Sequence, residues 1–168
     1  MPKLAVIMAV YNNEKTVSLS IESILNQTYK DFTFYICDDG SKDNSYSIIK
    51  SFADKDSRII PLQNSKNSGL SYSLNKMISL VLETDSKYIA RMDGDDISEP
   101  ERFEKQITFL ESHPEISILG ASIQFFDSKG VWGKLQYPEI IENKRILDLL
   151  ISMMELFLKI YKLFMIIV

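Results

Sequence analysis

The amino-acid sequence predicts an α/β domain in which helices flank a mostly parallel sheet. A continuous apolar run at residues 4–10 and a second strand-like segment at residues 32–37 alternate with segments whose apolar residues recur at helical spacing. Unbroken apolar runs are typical of strands that helices cover on both faces, as in parallel sheets. The chain of 168 residues is long enough for one domain that buries roughly 70% of its unfolded surface.

The first half of the chain predicts the order β-α-β-α-β-α-β. The first strand covers residues 4–10, and a helix follows with Asn13 as its expected N-cap. Further strands are predicted at residues 32–37, 59–62 and 88–92. The helices between them carry apolar stripes: Val17, Ile21, Ile24 and Leu25; Tyr46, Ile49 and Phe52; and Leu70, Leu74, Met77, Ile78 and Val81. Helical crossovers of this length predict parallel, right-handed connections.

A helix and a hairpin are predicted next. Pro100 is expected to open the helix, because the first helical turn tolerates proline, and Phe103, Ile107 and Leu110 form its apolar stripe. Residues 116–126 and 131–136 flank a turn-forming segment and predict an antiparallel hairpin at the edge of the sheet.

The tail, residues 149–168, is strongly apolar and predicts a helix. Its charged residues interrupt it too often for a convincing transmembrane span. It could pack on the domain or lie at a membrane interface. The abrupt change in composition after Ser152 leaves a third interpretation open, a frameshifted or truncated end.

Charge and cysteine content exclude several classes of protein. A formal net charge of −4 and the lack of a basic stripe argue against a nucleic-acid partner. The single cysteine, Cys37, excludes an internal disulfide framework and is expected to be a buried thiol in a reducing compartment. No signal peptide is predicted at the N-terminus. We expect His113 to lie at a helix end and Trp132 to pack in the hairpin.

Three carboxylates lie within four positions, at Asp93, Asp95 and Asp96, directly after a predicted strand. Like charges this close repel by roughly 1 kcal/mol per pair even in water. Carboxylate oxygens suit a hard divalent ion, so the cluster indicates Mg²⁺ or Mn²⁺, although a solvated acidic turn is the simpler interpretation. Loops after the other strands should lie along the same rim, which favours a ligand site there.

Other sites with this acidic pattern fit less well. A phosphatase-type nucleophile loop usually follows the first strand, whereas this cluster follows the fourth. A calcium loop starting at Asp93 would need glycine where Ser98 stands. Neither a phosphate-binding Gly-Lys-Ser/Thr loop nor a dinucleotide glycine fingerprint occurs in the sequence.

Five segments in this order resemble family-2 glycosyltransferases: VIMAVYN at residues 6–12, SILNQTY at 23–29, DDGS at 38–41, NSGLS at 67–71 and DGDD at 93–96. The resemblance extends to about Tyr137. It implies the GT-A fold, which is Rossmann-like, and transfer of a sugar from a nucleotide-diphosphate donor, usually a UDP-sugar. The acceptor would be a glycan or a lipid-linked molecule in the synthesis of bacterial surface polysaccharides.

The resemblance also implies roles for individual residues. Ala9 and Tyr11 would border the base, and Asp39 would accept a hydrogen bond from the uracil N–H. Asp93 would lie near the ribose and the metal, Asp95 would ligate the metal, and Asn67 and Leu70 would line the nucleotide pocket. Ala9 departs from the proline, threonine or serine often found there.

The acceptor side does not follow the family pattern. The family's general base lies in a later acidic motif, and after Tyr137 the carboxylates Glu139, Glu142, Asp148 and Glu155 all lack that context. We therefore expect residues 1–137 to form the nucleotide-sugar-binding part, and residues 138–168 an atypical apolar tail. The expected activity is weak or absent, and the alternative is a non-catalytic remnant that binds nucleotide sugars. A cytoplasmic location is expected, with peripheral membrane contact through the tail.

Overall fold

The computed structural model describes residues 3–127, 129–135 and 164–166, and strands and helices alternate as predicted in the first part of the chain. The elements are β1 (Leu4–Val10), α1 (Val17–Leu25), β2 (Phe32–Asp38), α2 (Ser45–Ala53), β3 (Ile59–Gln63), α3 (Leu70–Val81), β4 (Tyr88–Asp93), α4 (Arg102–Ser112), β5 (Ile118–Leu119), β6 (Ile123–Asp127), β7 (Gly130–Leu135) and β8 (Phe164–Ile166). The α/β prediction is confirmed.

The described strands form one parallel sheet and one separate hairpin. The sheet has the order β3-β2-β1-β4-β8-β5, and every neighbouring pair in it is parallel. The hairpin consists of β6 and β7, which pair antiparallel only with each other among the described strands. The prediction of an antiparallel hairpin is therefore confirmed, but its expected position at the edge of the main sheet is wrong.

The core lies on both faces of the sheet, which explains the unbroken apolar runs. Alternate residues of β1 point to opposite faces. Leu4, Val6 and Met8 belong to one cluster, with side chains of α1, α2 and α4. Ala5 and Ile7 belong to a second cluster, to which α3 contributes. This second face matters for the site, because α3 packs over β1 and β2.

Two helices begin later in the chain than predicted. Helix α1 begins after Thr16 rather than after Asn13, and the intervening residues form a turn in which the Asn13 carbonyl accepts from the N–H groups of Thr16 and Val17 at 3.0 and 2.9 Å. The Asn13 side chain accepts instead from the N–H of Tyr11 at 3.2 Å. Pro100 precedes α4 by two residues, and its carbonyl accepts a bond from the N–H of Thr28 at 2.8 Å.

The C-terminal predictions need two further corrections. The single strand expected over residues 116–126 is two strands, because the chain leaves the main sheet after β5 and enters the hairpin at β6. The predicted apolar helix over residues 149–168 lies outside the described residues except at Phe164–Ile166. Those three residues form β8, between β4 and β5, so the helix prediction is wrong there.

Candidate functional site

The carboxyl ends of β1, β2, β3 and β4 meet at one rim of the sheet. Val10 at the end of β1 lies in register with Asp38 of β2, and Asp38 lies in register with Gln63 of β3. On the other side of β1, Ala9 is in register with Asp93 of β4. The loops that follow these strands therefore begin side by side, as predicted.

Asp39, which directly follows β2, is buried and holds the loop between β3 and α3. Its carboxylate accepts hydrogen bonds from the Asn64 side chain at 2.7 Å, the N–H of Ser68 at 3.0 and 3.1 Å, and the N–H of Gly69 at 2.8 Å. Burial alone would raise the pKa of this carboxyl, but the bonds from Asn64, Ser68 and Gly69 outweigh it and hold the pKa below its ordinary value. Asp39 is therefore a charged anchor for a loop of this rim.

Asp38, the neighbour of Asp39, is also buried and serves the turn after β2. One of its carboxylate oxygens accepts from the N–H of Ser41 at 3.2 Å and from the Gln63 side chain at 3.4 Å. The other oxygen has no hydrogen-bond partner among the described residues.

The loops after β1 and β2 are bonded to each other. The N–H of Asn12 donates to the Ser41 hydroxyl at 2.9 Å, and the Asn12 side-chain oxygen accepts from the N–H of Lys42 at 2.8 Å. Asn12 has a φ of 54°, a conformation that asparagine tolerates better than most residues. Gly40 has a φ of 71°, and a Cβ there would lie 2.6–2.8 Å from the backbone of Lys66 and Asn67. Glycine at this position lets the third loop pack against the second.

Three of the predicted nucleotide-binding residues are exposed at the rim. Tyr11 is 42% exposed, and Leu70, the first residue of α3, is 45% exposed. Asn67 is also exposed, and its side-chain oxygen accepts from the N–H of Gly69 at 3.1 Å. Ala9 is half-buried on β1. The fold thus brings these residues to the loops in which the sequence predicted a ligand site.

The acidic loop begins with an ion pair that the sequence analysis missed. Arg91 donates to Asp93 from Nη2 at 2.8 and 2.9 Å and from Nε at 3.2 Å. Asp95 and Asp96 are exposed. Partial loss of hydration, followed by the charges of Asp93 and Asp95, raises the pKa of Asp96. A charged residue in an otherwise apolar strand was the available signal for Arg91.

The carboxylates of this loop are the right type of ligand for a hard divalent cation, but their arrangement does not form a ready metal site. Oxygen donors from Asp93 and Asp95 are the ligands that Mg²⁺ and Mn²⁺ prefer. Arg91, however, already engages both oxygens of Asp93. Among the described residues, no group of three or more histidine, cysteine, aspartate or glutamate side chains is arranged to hold a metal ion.

A second missed feature fixes the far end of the acidic loop. Gln27 is fully buried; its amide donates to the carbonyls of Ser23 and Glu99 and to the Ser98 hydroxyl, and accepts from the N–H of Phe103 at 3.1 Å. Thr16 Oγ1 donates to the carbonyl of Gly94 at 3.0 Å, which ties the near end to the first loop. The acidic loop is thus held at both ends.

Arg102 completes this anchor. Its guanidinium donates to the carbonyl of Arg91 at 3.0 Å, to the Gln106 side chain at 3.1 Å and to the Ser98 hydroxyl at 3.3 Å. Burial lowers its pKa to about 10, so the group stays protonated at neutral pH. A polar residue at the end of a predicted helix, such as Gln27, and an arginine inside an apolar stripe were the sequence signals for both anchors.

Three residues have the structural positions predicted for them. Cys37 is buried in β2 as a free thiol, and burial raises its pKa. His113 lies at the end of α4 and stacks on Phe109 with ring centroids 4.2 Å apart. Trp132 of β7 stacks on Phe125 with centroids 5.1 Å apart. The four carboxylates after Tyr137 that the sequence analysis considered lie outside the described residues.

The family of the chain follows from comparison with known sequences. The family model described as Glycosyl transferase family 2 matches residues 5–165. The chain is 44% identical over 142 residues to EpsE of Bacillus subtilis, covering 84% of this chain and 50% of EpsE. The chain therefore belongs to glycosyl transferase family 2. It spans about half the length of the curated relatives that it matches first.

Another relative has a more specific name. The chain is 31% identical over 144 residues to the Escherichia coli protein named UDP-Glc:alpha-D-GlcNAc-diphosphoundecaprenol beta-1,3-glucosyltransferase WfgD, covering 86% of this chain and 54% of WfgD.

Solved structures confirm the GT-A fold. Residues 1–349 of TarS from S. aureus, in complex with UDP-GlcNAc, match with a TM-score of 0.61 at 23% identity, over 70% of this chain and 34% of that one. The mannosyltransferase PcManGT from Pyrobaculum calidifontis, in complex with GDP-Man and Mn²⁺, matches with a TM-score of 0.62 at 16% identity, over 71% of this chain and 35% of that one.

The membrane prediction can be checked only for part of the chain. Within residues 3–127, 129–135 and 164–166, no helix has the length and apolar character needed to cross a membrane.

Proposed function

We propose that this chain binds a nucleotide-diphosphate sugar at the carboxyl rim of its sheet, as the donor part of a sugar transferase. The observation that carries the proposal is the convergence of four loops, after β1, β2, β3 and β4, which hydrogen bonds tie to one another. Ligands of open α/β sheets bind outside the carboxyl ends of the strands. Membership of family 2 supports a nucleotide sugar as that ligand.

UDP is the proposed nucleotide of the donor. The TarS neighbour is a complex with UDP-GlcNAc, and the name of WfgD includes UDP-Glc as the donor. We propose that Ala9 and Tyr11 border the base and that Asp39 accepts from the uracil N–H. Asn67 and Leu70 would line the pocket, and Asp93 would lie near the ribose. A carboxylate offers about four lone-pair sites, and three protein donors already make four contacts with Asp39, so a base N–H would have to share or displace one bond.

A divalent cation is the proposed cofactor. The PcManGT neighbour is a complex with GDP-Man and Mn²⁺, which supports Mn²⁺ or Mg²⁺ here. Asp95 and Asp93 are the proposed ligands. A divalent ion bound there would offset the negative charge that develops on the departing diphosphate.

The proposed acceptor is a glycan or a lipid-linked sugar of a cell-surface polysaccharide. The diphosphoundecaprenol in the name of WfgD supports a lipid-linked acceptor. Residues 1–137 would supply donor binding, and the general base of the reaction is not assigned. The proposed compartment is the cytoplasm, supported by the free thiol of Cys37.

The test is thermal unfolding of the full chain with UDP, with and without Mn²⁺, against GDP and ADP. A ligand at one hundred times its Kd should add roughly 2.7 kcal/mol to the free energy of unfolding. That corresponds to about 5–10 °C in Tm for a domain of this size. A UDP-selective increase supports the proposal, whereas an unchanged Tm with all three nucleotides would refute it.

Asp95→Ala tests the metal ligand separately. The variant should lose the part of the UDP-induced Tm increase that depends on Mn²⁺. Asp85→Ala is the matched control, since Asp85 is an exposed aspartate just before β4 while Asp95 comes just after it. An Mn²⁺-dependent increase of wild-type size in Asp95→Ala would remove Asp95 from the site.

Transfer itself is a separate measurement. Release of UDP from a UDP-sugar in the presence of a lipid-linked acceptor would show an active transferase. Binding of UDP without any release would favour the alternative, a non-catalytic domain that binds nucleotide sugars. The chain's coverage of half its relatives' length is the observation behind that alternative.

A further inference from the structure

The proposed function does not explain why the positively charged side chain of Arg91 lies next to Asp93, a proposed metal ligand. The Arg91 guanidinium reaches both oxygens of Asp93, with Nη2 at 2.8 Å from one and 2.9 Å from the other. Nε adds a third contact at 3.2 Å. Contact of Nε and Nη2 with different oxygens makes this a bidentate, charge-assisted pair, which is stronger than hydrogen bonds between neutral groups.

The fold places this pair on an open part of the sheet. Arg91 and Asp93 are two residues apart on β4, so both lie on the same face as Ile89. Helix α3 packs over β1 and β2 on that face. The Arg91 and Asp93 side chains remain 22% and 40% exposed. The pair is therefore partly desolvated yet reachable from solvent.

The position of Arg91 on β4 does not itself require a charged side chain. The neighbouring residue in register on β1 is Ile7, which is buried, so an apolar side chain would suit the strand at this point. An arginine here instead supplies one positive charge to a loop that carries Asp93, Asp95 and Asp96. The physical effect of the residue is to offset part of the negative charge of that cluster.

We infer that Arg91 is a built-in counter-cation that competes with a divalent ion for Asp93; this inference rests on the metal site of the proposed function. A divalent ion can coordinate Asp93 fully only when the guanidinium gives up at least one oxygen. Arg91 thereby keeps the acidic loop ordered without metal and lowers its affinity for metal alone.

The test measures binding of Mn²⁺ alone to the full chain by isothermal titration calorimetry. Arg91→Met, which keeps an unbranched apolar side chain but removes the guanidinium and its charge, should bind Mn²⁺ about three- to tenfold more tightly than the wild type, the range expected for a partly exposed but bidentate pair. In an Asp93→Asn background the same substitution should change affinity little, because competition requires the Asp93 carboxylate.

Arg58→Met is the matched control for net charge. Arg58 pairs with Asp56, two residues earlier, with Nη2 2.7 Å from the carboxylate and similar exposure of both side chains. That pair lies next to β3, so its loss should leave Mn²⁺ affinity unchanged. Equal tightening in Arg58→Met and Arg91→Met would overturn the inference, because net charge alone would then explain the effect.

Other outcomes also decide the question. Unchanged or weaker Mn²⁺ binding in Arg91→Met overturns the inference, and so does tightening that persists with Asp93→Asn. If Arg91→Met fails to fold, Arg91→Lys replaces it, since lysine keeps the charge but cannot hold both oxygens in one plane. A smaller tightening is then expected, and none would overturn the inference. If the Tm increases selectively with UDP in the absence of Mn²⁺, the proposal of donor binding stands even when every Mn²⁺ measurement contradicts the inference about Arg91.

Discussion

Replacing Asp39 by asparagine is the most informative change to the rim, because the structure gives each bond that would be lost. Three donors converge on the carboxylate, from Asn64, Ser68 and Gly69. An asparagine keeps one acceptor oxygen but presents an NH₂ group where the other oxygen was. At least one donor then faces a donor, and the remaining bonds lose their charge.

The size of the effect follows from the number of bonds. A hydrogen bond to a charged group contributes about 1.5–3 kcal/mol, and a buried donor without an acceptor costs about 1–3 kcal/mol. Losing one to two such bonds at this buried site should lower the free energy of unfolding by about 2–4 kcal/mol. The measurement is urea unfolding followed by circular dichroism at about pH 7, with Asp85→Asn, at an exposed aspartate, as the control.

The difference between Asp39→Asn and the wild type should also depend on pH. The pKa of Asp39 is lowered in the folded chain, so its contribution is fully present above the unfolded pKa, about 4, and is lost as the pH falls through the lower folded pKa. The two proteins should therefore differ most above about pH 5 and converge on acidification. A variant within about 0.5 kcal/mol of the wild type, or a gap that stays constant with pH, would refute this account.

Three further predictions concern buried positions. Gly40→Ala should lower the free energy of unfolding by about 2–4 kcal/mol, because alanine is strained at a positive φ and its Cβ would meet backbone atoms of Lys66 at 2.6–2.7 Å. Chemical denaturation measures this change. The control is Gly120→Ala, because nothing lies within 4 Å of a Cβ there. Gln27→Leu should cost about 2–4 kcal/mol, because four buried hydrogen bonds are lost, and a wild-type Tm would contradict it. Cys37 should resist a thiol reagent until urea unfolds the chain, because burial excludes the reagent and raises the thiol pKa, whereas fast labelling of the folded chain would contradict its buried position.

The elements that the sequence predicts well are those whose signal is local. The first four strands and four helices could be placed to within about three residues, because the apolar run or stripe that marks each of them is local in the chain. Strand β8 could not be predicted in the same way. Its residues, Phe164–Ile166, pair with β4 and β5, which lie far away in the chain, and an apolar run alone does not separate a strand from a buried helix.

For the candidate site as well, local features can be predicted from the sequence and long-range contacts cannot. The sequence identifies Asp39 and Asp93 as carboxylates after strands, and parallel topology alone brings them to one rim. It does not identify their partners, because Asp39 takes its donors from a loop 25 to 30 residues later and Gln27 reaches a loop more than 70 residues away. Even the Arg91–Asp93 pair, only two residues apart, depends on both side chains sharing one face of a strand.

These partners change how the carboxylates of the rim should be understood. The family resemblance predicts that the Asp39 carboxylate accepts from the base and that the Asp93 carboxylate binds the metal. Each carboxylate, however, already receives several hydrogen bonds from the protein. An uncompensated buried charge is costly, so the fold supplies donors to the buried Asp39 before any ligand arrives, and Arg91 does the same for the partly exposed Asp93. Binding at this rim is then an exchange of partners rather than the filling of unsatisfied groups. Affinity should consequently rise when a protein donor that opposes the ligand is removed, as at Arg91, and fall when one that shapes the loop is lost, as at Asp39.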